Sequence, residues 1–235
     1  MKIWTMLALL MLAGCSGRPL VPDEVAALRG IQGEQVRYED VRLHDGMFRR
    51  TAKVRKALRE EGSELTALLA QAALTDDRGQ PMTERQAVQQ FVARPDAVTL
   101  GDHIYYQRDM YRKNFARGQH GDVPVWDLAL LAHEVTHVWQ HQNRSRTGYS
   151  LVAVILEHLR HDAPYAFRLV PGKTFLEYRF EQQGAMVQRY VICSYFPVTP
   201  WFEQLRAVVE PVFGAAPTVP AGVRIARPAN VSCDG

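Results

Sequence analysis

Apolar residues recur at helical spacing in several stretches of the chain, and strand-forming residues gather in one. Over residues 48–73, Val54, Ala57, Leu58, Leu65, Leu68 and Leu69 punctuate a background of Arg, Lys, Glu and Ala. That pattern predicts a helix, divided at Gly62. Thr83 opens a second short helix that Arg94-Pro95-Asp96 ends. The period then changes. Val98, Thr99, Ile104, Tyr105 and Tyr106 surround Gly101-Asp102-His103 and predict a strand over 97–107 broken by a turn at Gly101. Pro124 suits the first turn of a helix running to about Gln142, and Arg144 to Gly148 breaks it. Further helices are expected over 151–161, 175–195 and 201–209. Pro211, Pro217, Pro220 and Pro228 predict an irregular C-terminal segment. There is no internal repeat and no domain-scale linker. The expected fold class is α+β, mainly helical, with a small β-sheet beside the 124–142 helix.

Composition narrows the class without naming a function. The 235 residues are 47% hydrophobic and 23% charged, which excludes wholesale disorder and collagen-like or coiled-coil architecture. Lys and Arg number 28 against 25 Asp and Glu, a formal net charge of +3. Bulk charge therefore gives no reason to expect a nucleic-acid partner. The basic run Arg49, Arg50, Lys53, Arg55, Lys56 and Arg59 reads as a solvated helix face.

The N-terminal segment changes the picture more. Lys2 precedes an apolar stretch from Ile3 to Ala13, followed by Leu12-Ala13-Gly14-Cys15. The layout is that of a secretory leader, and its end resembles the bacterial lipobox, in which the cysteine is acylated. The expected organisation is a leader over 1–14, a lipid-attached tether over 15–35 and one domain over 36–235. Membrane contact would then run through lipid on Cys15. The expected location is the cell envelope, at the outer membrane facing the periplasm. That compartment is oxidising, so Cys193 and Cys233 are expected to pair as a disulfide.

The chemistry-bearing motif lies in the 124–142 segment: His133-Glu134-Val135-Thr136-His137. Two histidines four apart on a helix leave the same face one turn apart, a workable chelating distance for one ion. Glu134 projects about 100° away from His133. It is expected as a general base acting on a metal-bound water rather than as a ligand. Leu128, Leu130, Leu131, Val135 and Val138 give the helix the apolar surroundings of a buried element. The expected cofactor is zinc, which needs a third protein ligand.

No third histidine follows at short spacing. The segment from Phe175 to Val187 is the best source, and it offers Glu181, 44 residues beyond His137. Gly184 and Ala185 lie one turn further along and let two helices approach closely. Glu177 is the rival, with bulkier company in Tyr178 and Phe180. Tyr149, Tyr165, His158 and His161 are open candidates for a donor that stabilises an oxyanion, and His103 for a further site residue.

These motifs together resemble a family. His133 to Gln140, then Glu181-Gln182-Gln183, with Leu100-Gly101-Asp102-His103-Ile104-Tyr105 upstream, is similar to bacterial zincin-like domains of the gluzincin type, some near secretion or toxin loci. Gly184 departs from the alanine usual there. The resemblance implies a zincin-like fold and a zinc metallopeptidase in an envelope lipoprotein. His133, His137 and Glu181 would hold zinc, with Glu134 as base and a peptide or protein of the envelope as substrate. Peptidoglycan stem peptides are the alternative substrate, and a non-catalytic zinc- or partner-binding lipoprotein the alternative class.

Overall fold

The computed structural model describes residues 17–46, 50–76, 78–93, 95–214, 224–226 and 231–234. Its elements are β1 (Arg18–Pro19), α1 (Pro22–Gln32), β2 (Arg42–Asp45), α2 (Arg50–Glu60), α3 (Leu65–Gln71), α4 (Glu84–Ala93), β3 (Ala97–Leu100) and β4 (His103–Tyr106). There follow β5 (Val123–Pro124), α5 (Val125–Gln142), α6 (Arg144–Thr147), α7 (Leu151–Arg160), α8 (Phe180–Cys193), α9 (Pro200–Phe213) and β6 (Ile225–Ala226). The class is α+β with a small sheet.

Helix α5 organises the rest. Every residue from Leu128 to Gln140 is buried, the polar His133, Glu134, Thr136, His137 and Gln140 included, so other elements cover the helix on every face. Helix α8 packs along it, and α9 closes over α8. Trp139 of α5 lies edge-on to Phe213 at 4.8 Å and to Phe175 at 6.1 Å, anchoring this core. A second apolar cluster unites α2, α3, α4 and α7 with Val98 and Leu100 of β3. The chemistry-bearing residues sit on the seam between the two clusters.

A four-stranded sheet runs in the order β1-β2-β4-β3. Strands β3 and β4 form an antiparallel hairpin, and β2 joins β4 in parallel. The turn is made by Gly101, at φ +62°, a backbone state that favours glycine. Strand β3 is one edge strand of this sheet, opposite β1, and packs against α5.

Several boundaries differ from the sequence expectations. Where a tether is expected, α1 places Leu28 and Ile31 fully inside the core. Pro22 occupies its first turn, and Glu24 accepts from the Val21 N–H at 2.9 Å while pairing with Arg18 at 2.7 Å. Proline here starts a helix instead of preventing one. Gln32 then ties α1 to α5 through the Ala132 carbonyl and Thr136 Oγ1. The expected 175–195 helix is two pieces: a 3-10 turn over Phe175–Glu177 and then α8. Tyr178 and Arg179 between them are extended. The last helix runs on past the expected 209 to Phe213, with Pro211 inside it.

Cys193, at the end of α8, is bonded to Cys233, with their Cα atoms 5.8 Å apart. The expected leader and the acylation of Cys15 lie outside the described residues. Among the described residues no helix is long and apolar enough to cross a membrane.

Candidate metal centre

His133 and His137 leave α5 one turn apart, and their Nε2 atoms lie 3.2 Å from each other. Glu181 comes from the first turn of α8, and its Oε2 is 3.6 Å from His133 Nε2 and 3.4 Å from His137 Nε2. The three residues are between 3% and 5% exposed. Three buried donor atoms thus converge on one point, and the triad could hold a metal ion. The close approach depends on Gly184. A Cβ there would lie 2.7 Å from His133 Nε2, so any larger side chain would push the ring.

The outer nitrogens of both histidines are occupied. His133 Nδ1 meets Gln188 Oε1 at 3.1 Å, and His137 Nδ1 meets Gln140 Oε1 at 2.8 Å. An amide oxygen only accepts, so each Nδ1 carries a hydrogen, and each Nε2 is the ring atom left facing inward, able to offer a lone pair to an ion once it gives up its proton. Gln140 in turn donates to Gln183 Oε1 at 2.9 Å, and Gln183 donates to the Tyr178 carbonyl at 2.6 Å. This chain of amides locks α5 to the start of α8. Gln140 and Gln183 stand within the family pattern, which does not imply this part for them. The available signal was a glutamine three residues after a ligand on a buried helix.

Electrostatics bind the triad together. For His137, burial works against the charged ring, but the Glu181 carboxylate outweighs it and raises the imidazole to about 9. For Glu181, burial favours the neutral acid. The positive charge on His137 and hydrogen bonds from His133, His137 and His158 prevail, holding the carboxyl well below its ordinary range.

Glu134 stands beside the triad and outside it. Its Oε2 accepts from Thr99 Oγ1 of β3 at 2.7 Å, so the edge strand fixes the carboxylate. Glu134 and His133 both line a cleft of about 290 Å³ with Asp96, Trp126, Tyr165 and Gln188. Thr99 was not foreseen as a site residue. A strand threonine reads as a β-former, and only the packing of β3 on α5 gives its hydroxyl a partner.

The remaining candidates separate cleanly. Glu177 accepts from Thr174 N–H at 2.7 Å and Thr174 Oγ1 at 2.6 Å, an exposed capping box remote from the triad. His158 is buried and reaches Glu181 Oε1 at 2.8 Å. Tyr165 stands edge-on to His133 at 5.7 Å and to His158 at 5.6 Å, at the mouth of the cleft. Burial first, then the charges of Glu181 and Glu134, push its phenol upward, so it remains a donor. His103 is exposed and bonded to His44 at 2.9 Å. Tyr149 is a core residue against Phe180, and His161 lies apart at the end of α7.

The fold and centre define an α+β domain with a buried two-histidine, one-glutamate cluster and an adjoining carboxylate. No family model matches the chain. It is 27% identical over 188 residues to the type VI secretion system spike protein VgrG2b of Pseudomonas aeruginosa, a match covering 75% of this chain and 13% of that protein. The chain therefore spans about an eighth of the length of that relative. Among solved structures, the effector domain of Pseudomonas aeruginosa VgrG2b covers 83% of this chain at 24% identity, with a TM-score of 0.49.

These matches correct the reading made from the motifs. The family expected was a zincin-like metallopeptidase lipoprotein and the function expected was zinc-dependent peptide hydrolysis in the envelope. The curated relative reported above is instead a type VI secretion system spike protein. The physical reason lies in what such a motif encodes. Two histidines, a glutamate and a base specify metal chemistry on a helix pair. They specify neither the bond attacked nor the lineage of the domain.

Proposed function

We propose that the chain is a metal-dependent enzyme domain of the effector kind, and that its ion is zinc. The observation that carries this reading is the spacing of the triad. Ligands about 2.0–2.1 Å from a tetrahedral zinc ion are about 3.3–3.5 Å from one another, and the three donor separations are 3.2, 3.4 and 3.6 Å. The all-nitrogen-and-oxygen set with both Nε2 atoms facing inward suits the same ion. Three protein ligands would leave such an ion one further position, and His133 and Glu134 both border the cleft.

When bound, zinc would supply Lewis-acid polarisation and make a water at that position easier to deprotonate. The chain's residues do the rest. His133, His137 and Glu181 hold the ion, with Gln188 and Gln140 fixing the two rings. Glu134, steadied by Thr99, accepts the proton from the nucleophile. Tyr165 presents a protonated phenol at the cleft mouth. A site for metal storage has no use for an ordered non-ligand carboxylate, and this favours an enzyme. The Cys193–Cys233 bond supports action in an oxidising compartment.

The test is expression of the domain in a bacterial host, once in the cytoplasm and once exported to the periplasm. The exported wild type should arrest growth. Glu134→Gln should retain zinc and lose the effect by ~10² or more in dose, the scale of a lost general base. His133→Ala should lose both. Were Glu134→Gln as potent as the wild type while His133→Ala was harmless, the metal would be structural and the enzyme reading would be withdrawn. A wild type harmless in both compartments would contradict the effector reading.

A further inference from the structure

The Glu181 carboxylate has two oxygens, and the triad uses one. Oε2 faces the Nε2 atoms of His133 and His137, whereas Oε1 is taken by His158 Nε2 at 2.8 Å. An ionised carboxylate only accepts, so His158 must donate from Nε2–H. The ring has little room to swing. It is 4% exposed and packs edge-on against Phe91 at 5.1 Å and Tyr165 at 5.6 Å. The residue before it holds the same target from another side. Glu157 accepts from the Phe180 N–H at 3.0 Å and the Glu181 N–H at 3.1 Å, capping α8 at its first turn. Helix α7 therefore grips both the backbone and the side chain of Glu181.

Metal ions differ in what they ask of a carboxylate. A four-coordinate zinc ion is satisfied by one oxygen. Larger, harder cations collect more oxygen ligands and readily take both. A carboxylate whose second oxygen is already bonded cannot turn to chelate without breaking that bond in a buried setting, where the stranded N–H would be costly.

We propose that His158 is a positioning residue that confines Glu181 to one-oxygen ligation and so tunes the centre to a small four-coordinate ion over oxygen-seeking cations. This rests on the metal reading of the triad and adds a residue on α7 that sets which ion is held.

The experiment compares the full chain with His158→Phe and His158→Gln. Phenylalanine keeps a ring against Phe91 and Tyr165 and removes the donor, and glutamine restores an N–H. His158→Leu serves as a second removal of the donor should the phenylalanine variant fail to fold, as judged by thermal melting. Each protein is titrated with Zn2+ and Mn2+ in competition with a chelator, and with Co2+ followed by its visible absorption, which is intense for four-coordinate cobalt and weak for higher coordination. The wild type should give the intense band. Removing the donor should weaken the band, lower zinc affinity by ~10–100-fold and reduce the preference for Zn2+ over Mn2+, with His158→Gln recovering much of each. A folded donor-less variant with the wild-type cobalt band and the wild-type Zn2+/Mn2+ ratio would overturn the proposal, as would a folded His158→Gln as impaired as His158→Phe. A wild type that binds none of the three ions would refute the triad reading itself, and the proposal with it.

Discussion

A methyl group placed on Gly184 would lie 2.7 Å from Nε2 of His133, nearer than a real Cβ approaches any ring atom. The glycine is therefore what lets α8 deliver Glu181 to the histidines of α5. Gly184→Ala should favour the helix by about 0.5–1 kcal/mol through backbone entropy while displacing the His133 ring. The expected result is a metal-free protein of undiminished melting temperature whose zinc affinity falls on the order of 10-fold or more. Chelator competition and thermal melting on the same samples check it. Unchanged zinc affinity would show that His133 can yield without cost.

The raised His137 gives metal binding a definite pH dependence. At about 9 its imidazole is protonated at neutral pH in the metal-free protein, and a metal ligand must be neutral. Zinc binding at pH 7 should release about one proton at this residue. Affinity should rise roughly tenfold per pH unit from about 7 to 9 and then level. The metal-free fold has the opposite trend. The ordinary histidine value of 6.5 is raised in the fold, so this stabilisation is complete below about 6.5 and is lost as pH rises through about 9. Calorimetry in buffers of different ionisation heat measures the proton count. An affinity flat from pH 7 to 9 would contradict the assignment.

The Cys193–Cys233 bond closes a 40-residue separation and ties the end of α8 to the final described segment, where Thr199 Oγ1 also donates to the Cys233 carbonyl. In the chain-entropy model such a loop contributes about 4 kcal/mol. Replacing both cysteines with serine should lower the melting temperature by several degrees or more. Zinc stoichiometry should be unchanged, because Glu181 sits three turns earlier in α8. Denaturant titration with parallel metal analysis decides it.

The site was legible where its chemistry is local in sequence. His133, Glu134 and His137 share one helix, so spacing alone sets their geometry. Glu181 was legible through Gly184, whose small size marks the contact face. Glu177 looked similar only because one continuous helix was assumed. The Thr174 capping box opens a separate 3-10 turn that stops at Tyr178, and α8 begins afresh at Phe180. His158 was open only as an oxyanion donor, and Thr99 and Gln188 had no expected role, because the contacts that define all three run between elements. Their meaning exists only once α7, β3 and the later turns of α8 are packed round the triad. Helix α1 was hidden for another reason. Pro19 and Pro22 read as a tether, yet Pro22 is at the one helical position that loses nothing by lacking an N–H.

Metal content of the glutamate variants tests the account most directly. After reconstitution and removal of loose ions, wild-type protein should hold one zinc per chain by elemental analysis. Glu177→Ala, which loses only an exposed capping box, should hold the same, and Glu181→Ala should hold far less. A wild type without zinc, or a Glu177→Ala protein that loses it while Glu181→Ala keeps it, would contradict the assignment of the metal centre to His133, His137 and Glu181.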